Sequence, residues 1–360
     1  MNRSRSSNKS VGETADAGGQ GGVLFVGDIG GTNARFALFE ATANLAGAAP
    51  ISSVTLPTEQ FSDALELFDQ ALSQLLSDTG TDRSGPVAAC VAVAGPVAEG
   101  RAKLTNGELV FEEQLLANHI VAPVLMINDF YAVAASINEA TPVLAVGQLS
   151  QPAEGVRAVI GPGTGLGMGY LVPLGSAKER RWQVMASEGG NADFAPSNAL
   201  ELELLGLLQQ SQKTVSETIS IETLVSGRGL PRIYAGLCEL WGVSPQFDAP
   251  DQITSAALEF DGANGGDLIS HKTLELFCAM LGTAAGNFAL NLGSRGGVYL
   301  AGGILPRITD FFCASDFRQR FEDRGRMTDF VKQIPTLLVL DPEPGLTGAF
   351  GLAQQLNRRN

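Results

Sequence analysis

The sequence predicts an α/β chain made of two related halves, and three observations lead there. Short apolar strands alternate with amphipathic helical stretches. At about 150 residues per domain, 360 residues accommodate two. One strand–turn–strand theme also occurs twice, because Gly163–Leu171 can be laid on Gly31–Phe39.

Taken in order, residues 1–22 are polar, Gly/Ser-rich and nearly free of large apolar side chains, so they read as a disordered leader outside the fold. Val23-Leu24-Phe25-Val26 runs into Gly27-Asp28, and Arg35 to Phe39 resumes an extended pattern. Residues 23–39 therefore predict a strand, a tight glycine turn and a second strand. In 61–77, Leu65, Phe68, Leu72 and Leu75/Leu76 share one helical face. A strand at 87–93, a Gly95-Pro96 turn and a strand at 124–127 follow, closed by Asn128-Asp129 and a helix from Tyr131 to Ile137. The opening theme returns at Val159-Ile160, and Val298 to Ile304 reads as an apolar strand entering Gly302-Gly303.

Composition excludes several classes. Lys+Arg of 24 against Asp+Glu of 38 gives a net charge of −14, the wrong sign for binding nucleic acid or anionic membranes. Apolar residues at 44% can fill a sizeable core. No apolar run is expected to reach the ~20 residues of a spanning helix. The four dispersed cysteines form no CxxC pair and read as reduced, buried thiols, and with no secretory apolar region the expected location is the cytoplasm. The 43 glycines are the anomaly.

Both glycine turns suit a bound anion, since a residue without Cβ lets backbone N–H groups approach phosphate oxygens closely. Thr32 and Thr164 add hydroxyl donors. In 161–169 every second residue is glycine, leaving one face of the hairpin bare, which packing alone does not readily explain. The spacing matches neither the P-loop nor the dinucleotide fingerprint: no Lys follows either turn, and the second continues as a strand. Asp28 beside bound phosphates would repel them unless a cation intervened, so Mg²⁺ held through water is expected there. Asp129 follows an apolar strand directly, where catalytic groups of α/β folds gather, yet it is equally placed to N-cap the next helix. Spacing does not separate the two roles. Asn128 can both donate and accept, which suits polyol hydroxyls. Ser187–Phe194 is a further polar, glycine-bearing loop. From pattern alone Glu222 is merely a first-turn acid of a helix capped by Ser220.

The ordered set resembles the bacterial glucokinase family, within the actin/hexokinase/Hsp70-like ATPases. It comprises Gly27–Arg35, Ile127–Phe130, Gly163–Gly167, Glu188-Gly189-Gly190 with Asp193–Pro196, Leu300–Ile304 and Asp341–Gly348. The resemblance implies two ribonuclease-H-like domains flanking a cleft: 23–138 with about 340–357, and 139–339. It implies ATP and Mg²⁺, with phosphates on Gly27, Asp28, Ile29, Gly30, Gly31, Thr32, Gly163, Thr164 and Gly165, and adenosine near Gly302 and Gly303. Asp129 becomes the general base on a sugar 6-hydroxyl, and Asn128, Glu188, Asn191 and Glu222 line the other hydroxyls. Two positions depart from the family pattern: Asn191 replaces its usual His, and Leu109 stands where Trp is common after Thr105-Asn106. Both departures are expected on the sugar side. The expected reaction is phosphorylation of glucose to glucose 6-phosphate, with glucose or a related hexose and a second copy of the chain as partners. Rival readings are a kinase for another hexose or amino sugar, a non-catalytic sugar-sensing regulator, and an actin-like filament ATPase.

Overall fold

A computed structural model describes residues 22–359 except 46, 80–84, 106, 148–151, 177–178, 212–217 and 263–264. The expected leader therefore lies outside the described residues, apart from Gly22, whose carbonyl accepts the Ala41 N–H at 2.9 Å.

The chain opens with β1 (Val23–Ile29), β2 (Asn33–Glu40), β3 (Ser52–Pro57), α1 (Ala64–Asp78) and β4 (Ala88–Val93). A small antiparallel sheet of β5 (Val97–Ala98), β6 (Arg101–Lys103) and β7 (Val110–Glu112) leads to α2 (Glu113–Ile120), β8 (Val124–Asn128) and α3 (Asp129–Ala135). The first large sheet has the order β3-β2-β1-β4-β8, with β2 antiparallel to both neighbours and β1, β4 and β8 parallel. Strands buried on both faces read as unbroken apolar runs, which is why β1 and β4 show no alternation. On one face, Phe25 and Phe36 of the sheet cluster with Phe68 of α1. The helix predicted over 61–77 starts at Ala64 because the Asp63 carboxylate caps it, accepting the Leu65 N–H at 2.7 Å.

Next come β9 (Val143–Ala145), β10 (Arg157–Pro162), β11 (Leu166–Leu174), β12 (Arg181–Ser187), α4 (Ala199–Ser211), α5 (Ile221–Leu224), α6 (Gly229–Leu240), α7 (Pro250–Leu258) and α8 (Leu268–Leu292). They are followed by β13 (Val298–Leu300), α9 (Thr309–Ala314), α10 (Phe317–Glu322), α11 (Thr328–Lys332) and β14 (Thr336–Val339). The second sheet runs β12-β11-β10-β13-β14-β9. Without its edge strand β9 it repeats the first sheet in order and in every strand sense. The recurring glycine hairpin thus belongs to a repeated topology. The last helix, α12 (Pro344–Asn357), returns to the first sheet, where Leu346, Ala349, Phe350 and Ala353 pack with Leu24, Val26 and Phe39.

Two expectations from composition need correction. At 25 residues and a mean hydropathy of 1.3, α8 is long and apolar enough to cross a membrane, but 78% of its apolar window is buried inside this protein. Cys90, Cys238 and Cys278 are buried, whereas Cys313 is exposed.

Candidate active site

The two glycine hairpins, the start of α3 and the loop after β12 form the candidate site. In the β1–β2 turn, Gly30 N–H donates to Asn33 O at 2.9 Å. Thr58 ties back the turn carbonyls: its Oγ1 donates to Gly31 O at 2.8 Å and its N–H to Thr32 O at 3.0 Å. Gly31 and Thr32 are left exposed at the tip, their N–H groups bonded to no acceptor among the described residues. Gly27 and Ile29 lie deeper. A Cβ on Gly27 would come 2.8 Å from the Phe36 ring, and Ile29 is fully buried, so any ligand meets only their backbone.

The β10–β11 hairpin corrects the expectation that its glycines leave a face bare for ligand. A Cβ on Gly167 would lie 2.0 Å from Phe130 Cδ2, and one on Gly161 2.9 Å from Phe130 Cε2, so packing against Phe130 occupies that face. Gly165 faces the Glu222 carboxylate, 2.5 Å from its would-be Cβ, while a Cβ on Gly163 would meet nothing within 4 Å. Only Gly163 and Thr164 therefore present an open surface. The tip is tied down by Gly163 N–H donating to Gly165 O, and by Gly227 N–H donating to Gly163 O, both at 2.8 Å. The Gly302-Gly303 pair divides similarly. Gly302 has φ +94° and would place a Cβ 2.5 Å from Pro162 O, whereas Gly303 faces open space.

At the end of β8 the cap is Asn128, not Asp129. Asn128 Oδ1 accepts the N–H groups of Phe130 and Tyr131 at 2.9 and 3.1 Å, so the helix predicted from Tyr131 begins at Asp129. Asn128 Nδ2 donates to Gly95 O at 3.1 Å and to Asp129 Oδ1 at 3.0 Å. Its amide is thus largely engaged in placing the carboxylate. Asp129 Oδ1 also accepts the Phe130 N–H at 2.8 Å, leaving Oδ2 as the oxygen these donors do not engage. Burial pushes the Asp129 carboxyl up to about 6, helped by the nearby charge of Asp28 and opposed by those hydrogen bonds.

Asp28 faces Arg35 across β1–β2, and its pKa is raised by burial, lowered by Arg35 and raised by Glu343. A Cβ on Gly345 would sit 2.6 Å from its Oδ2, so the absence of a side chain in the first turn of α12 makes room for this carboxylate. Two coupled carboxylates beside two phosphate-sized turns suit a hard divalent cation that takes one or two carboxylates and fills its remaining positions with water and phosphate. Among the described residues no group of three or more His, Cys, Asp or Glu side chains could hold a metal by itself.

Glu188 and Asn191 are exposed in the loop after β12, with Asn191 Nδ2 donating to Glu188 Oε2 at 3.5 Å. Gly190 abuts the Leu166 carbonyl, 2.2 Å from where its Cβ would be. An Asp193–Ser220 bridge, with Phe194 N–H on Ile219 O and Ile221 N–H on Ala192 O, zips this loop to the start of α5. That pairing brings in Glu222, whose Oε2 accepts the Leu166 N–H at 2.8 Å. Ser220 precedes α5 without a side-chain capping bond, its Oγ lying instead 3.1 Å from Thr223 Oγ1. Farther back, fully buried Glu201 accepts the Ser197 N–H at 2.7 Å and holds Arg320 through both carboxylate oxygens at 2.8 and 3.2 Å. Sequence reading passed over Glu201, because a helical acid carries no mark of burial. Leu109 does not reach the site; it is 4% exposed in the core beneath the first sheet. Asn106 lies outside the described residues.

Known proteins resemble this chain over most of its length. A family model described as Glucokinase matches residues 25–356. A glucokinase of Hahella chejuensis is 39% identical over 327 residues, covering 90% of this chain and 94% of its own. One from Chromobacterium violaceum is 36% identical over 343 residues, covering 93% and 90%. The crystal structure of a glucokinase from an Antarctic psychrotroph superposes with a TM-score of 0.74 at 31% identity, covering 93% of this chain and all of that one. At 19% identity and a TM-score of 0.56, a Streptomyces griseus glucokinase solved with glucose and AMPPNP shares the fold over 93% of this chain and all of its own. A chain matched from its first strand to its last helix, with both glycine hairpins and the capped Asp129 in place, belongs to the glucokinase family.

Proposed function

We propose that this chain transfers the γ-phosphoryl group of ATP to the 6-hydroxyl of glucose, in the cytoplasm. Its two repeated sheets are read as ribonuclease-H-like domains, 23–138 with about 340–357 and 139–339. The observation that carries the reading is the half-buried carboxylate of Asp129, held by the Asn128 amide and the Phe130 N–H and pushed up to about 6, beside the hairpin that presents Gly163 and Thr164.

Gly31, Thr32 and Thr164 would hold the phosphates through backbone N–H and hydroxyl donors, with Gly163 leaving room for close approach, which offsets charge without covalent chemistry. Gly303 is the open approach toward adenosine, and Asp28 would hold Mg²⁺ through water. The cation, when bound, offsets charge on the β- and γ-phosphates. Asp129 accepts the hydroxyl proton at Oδ2 while Asn128 and the Phe130 N–H fix Oδ1. A carboxyl raised to about 6 is still ionised at neutral pH and is more basic than an exposed one. Glu188, Asn191 and Glu222 read the remaining hydroxyls. Glu222 also bonds the phosphate hairpin, so a bound sugar and a bound phosphate would share one carboxylate.

A coupled ADP-release assay over glucose, mannose, fructose and N-acetylglucosamine, with and without Mg²⁺, tests this. Mg²⁺-dependent turnover with glucose as the best acceptor is expected. Preference for another sugar would move the substrate, and ATP-driven sedimentation without turnover would favour a filament.

A further inference from the structure

Sequence reading found no role for Phe130, yet its ring occupies an unusual position. The residue stands in the first turn of α3, directly after Asp129, and its N–H is shared by Asn128 Oδ1 and Asp129 Oδ1. It enters the site on the β8–α3 corner of the first sheet. Its ring, however, lies on β10–β11 of the second sheet. Against Gly167, a Cβ would fall 2.0 Å from Cδ2, 2.4 Å from Cγ and 2.5 Å from Cε2. Against Gly161 the distance to Cε2 is 2.9 Å, and Gly169 gives an ordinary contact of 3.7 Å with Cδ1. Real Cβ atoms do not approach ring carbons that closely, so the slot exists only because these strands lack side chains there. Phe130 and Asp129 belong to one capped turn, so a shift of that turn carries both.

We infer that Phe130 is a positioning residue, a peg seated in the Gly161–Gly167–Gly169 slot that fixes the distance between Asp129 and the phosphate-binding tip at Gly163-Thr164. This rests on the reading of Asp129 as base and of that hairpin as phosphate site. The alternation of glycines then has two separate causes. Gly163 is open toward ligand, and Gly161 and Gly167 accommodate the ring. Phosphoryl transfer with little covalent participation by the protein depends on positioning, and a displacement of about 1 Å at the reacting atoms can cost about a hundredfold. The peg therefore acts on kcat. Through the hairpin it seats against, it also bears on nucleotide affinity, whereas Glu188, Asn191 and Glu222 stand on other segments.

The test is a reciprocal size exchange. Phe130→Leu empties part of the slot, and Gly167→Ala pushes the ring out of it. Each single variant should lower kcat by about tenfold or more, with glucose KM within about threefold of wild type. Phe130→Leu combined with Gly167→Ala should recover most of that loss, because the added methyl fills the space the smaller side chain vacates. Thermal unfolding of all four proteins separates stability from rate. Lower melting temperatures with an unchanged kcat in both single variants would overturn the inference, as would a double variant no better than the worse single one. AMPPNP affinity is measured alongside. It should weaken severalfold in Gly167→Ala and return in the double variant, with or without activity. A wild-type enzyme that bound AMPPNP but phosphorylated no hexose would refute the functional reading, and the AMPPNP pattern would then decide the peg by itself.

Discussion

Asp129→Asn should make this protein a far poorer catalyst and, above about pH 6, a more stable one. The substitution keeps an acceptor oxygen for the Phe130 N–H and the Asn128 amide, so the first turn of α3 survives. It removes a negative charge that burial and Asp28 both disfavour. In the folded protein the carboxyl holds its proton up to about 6 instead of an ordinary carboxyl's 3.8. Wild type therefore keeps the full benefit of the neutral form below about pH 4 and loses it as pH rises through about 6. A shift of about two units corresponds to at most ~3 kcal/mol at pH 8. Since Asn must still satisfy its own NH₂ in that site, a gain of about 1–2 kcal/mol is expected. Removing a general base should lower kcat by about 10²–10⁴, or roughly 2.7–5.5 kcal/mol of barrier. Two assays suffice: thermal unfolding of the ligand-free protein at pH 4.5 and pH 8, and steady-state ADP release at saturating glucose. The stability difference should appear at pH 8 and largely vanish at pH 4.5, with kcat reduced and glucose KM little changed. A kcat within threefold of wild type, or a stability gain over wild type no larger at pH 8 than at pH 4.5, would refute the reasoning.

The remaining predictions concern other parts of the site. Gly163→Val places a β-branched side chain where nothing lies within 4 Å, so ligand-free stability should hardly change while ATP affinity falls steeply; calorimetric titration with AMPPNP checks this, and unchanged affinity would remove Gly163 from the phosphate site. Gly165 is a poorer choice, because its Cβ would strike Glu222 before reaching ligand. Asn191→His should alter the glucose, mannose and 2-deoxyglucose ratios of kcat/KM severalfold, the scale of one hydrogen bond of about 0.5–1.5 kcal/mol; identical ratios would mean residue 191 does not touch sugar. Arg320→Met leaves fully buried Glu201 without its cation and should cost about 3–5 kcal/mol in denaturant unfolding, whereas an exposed pair would cost under about 1.

Much of this protein could be read from its residues because their patterns are local. Apolar runs bounded by glycine or Asn-Asp gave strands, and the recurrence of Gly31–Phe39 at Gly163–Leu171 announced a repeated sheet that the strand order bears out. Periodicity placed α1 to within three residues, since Leu65, Phe68, Leu72 and Leu75 repeat at helical spacing, and only the structure shows Asp63 capping it. What tertiary structure alone decided were partnerships between distant segments. A glycine announces a missing side chain but not what fills the gap. Gly163 faces open space, Gly165 a carboxylate and Gly167 an aromatic ring, although the three alternate in one motif. The sequence offered Asp129 as the helix cap, and the geometry gives the helix N–H groups to Asn128 instead. Glu222 and Leu166 are far apart in sequence, and only the pairing of 192–194 with 219–221 brings them within hydrogen-bonding distance. Glu201 and the long apolar α8 differ from surface acids and membrane spans in burial alone, which depends on what the rest of the chain packs against them.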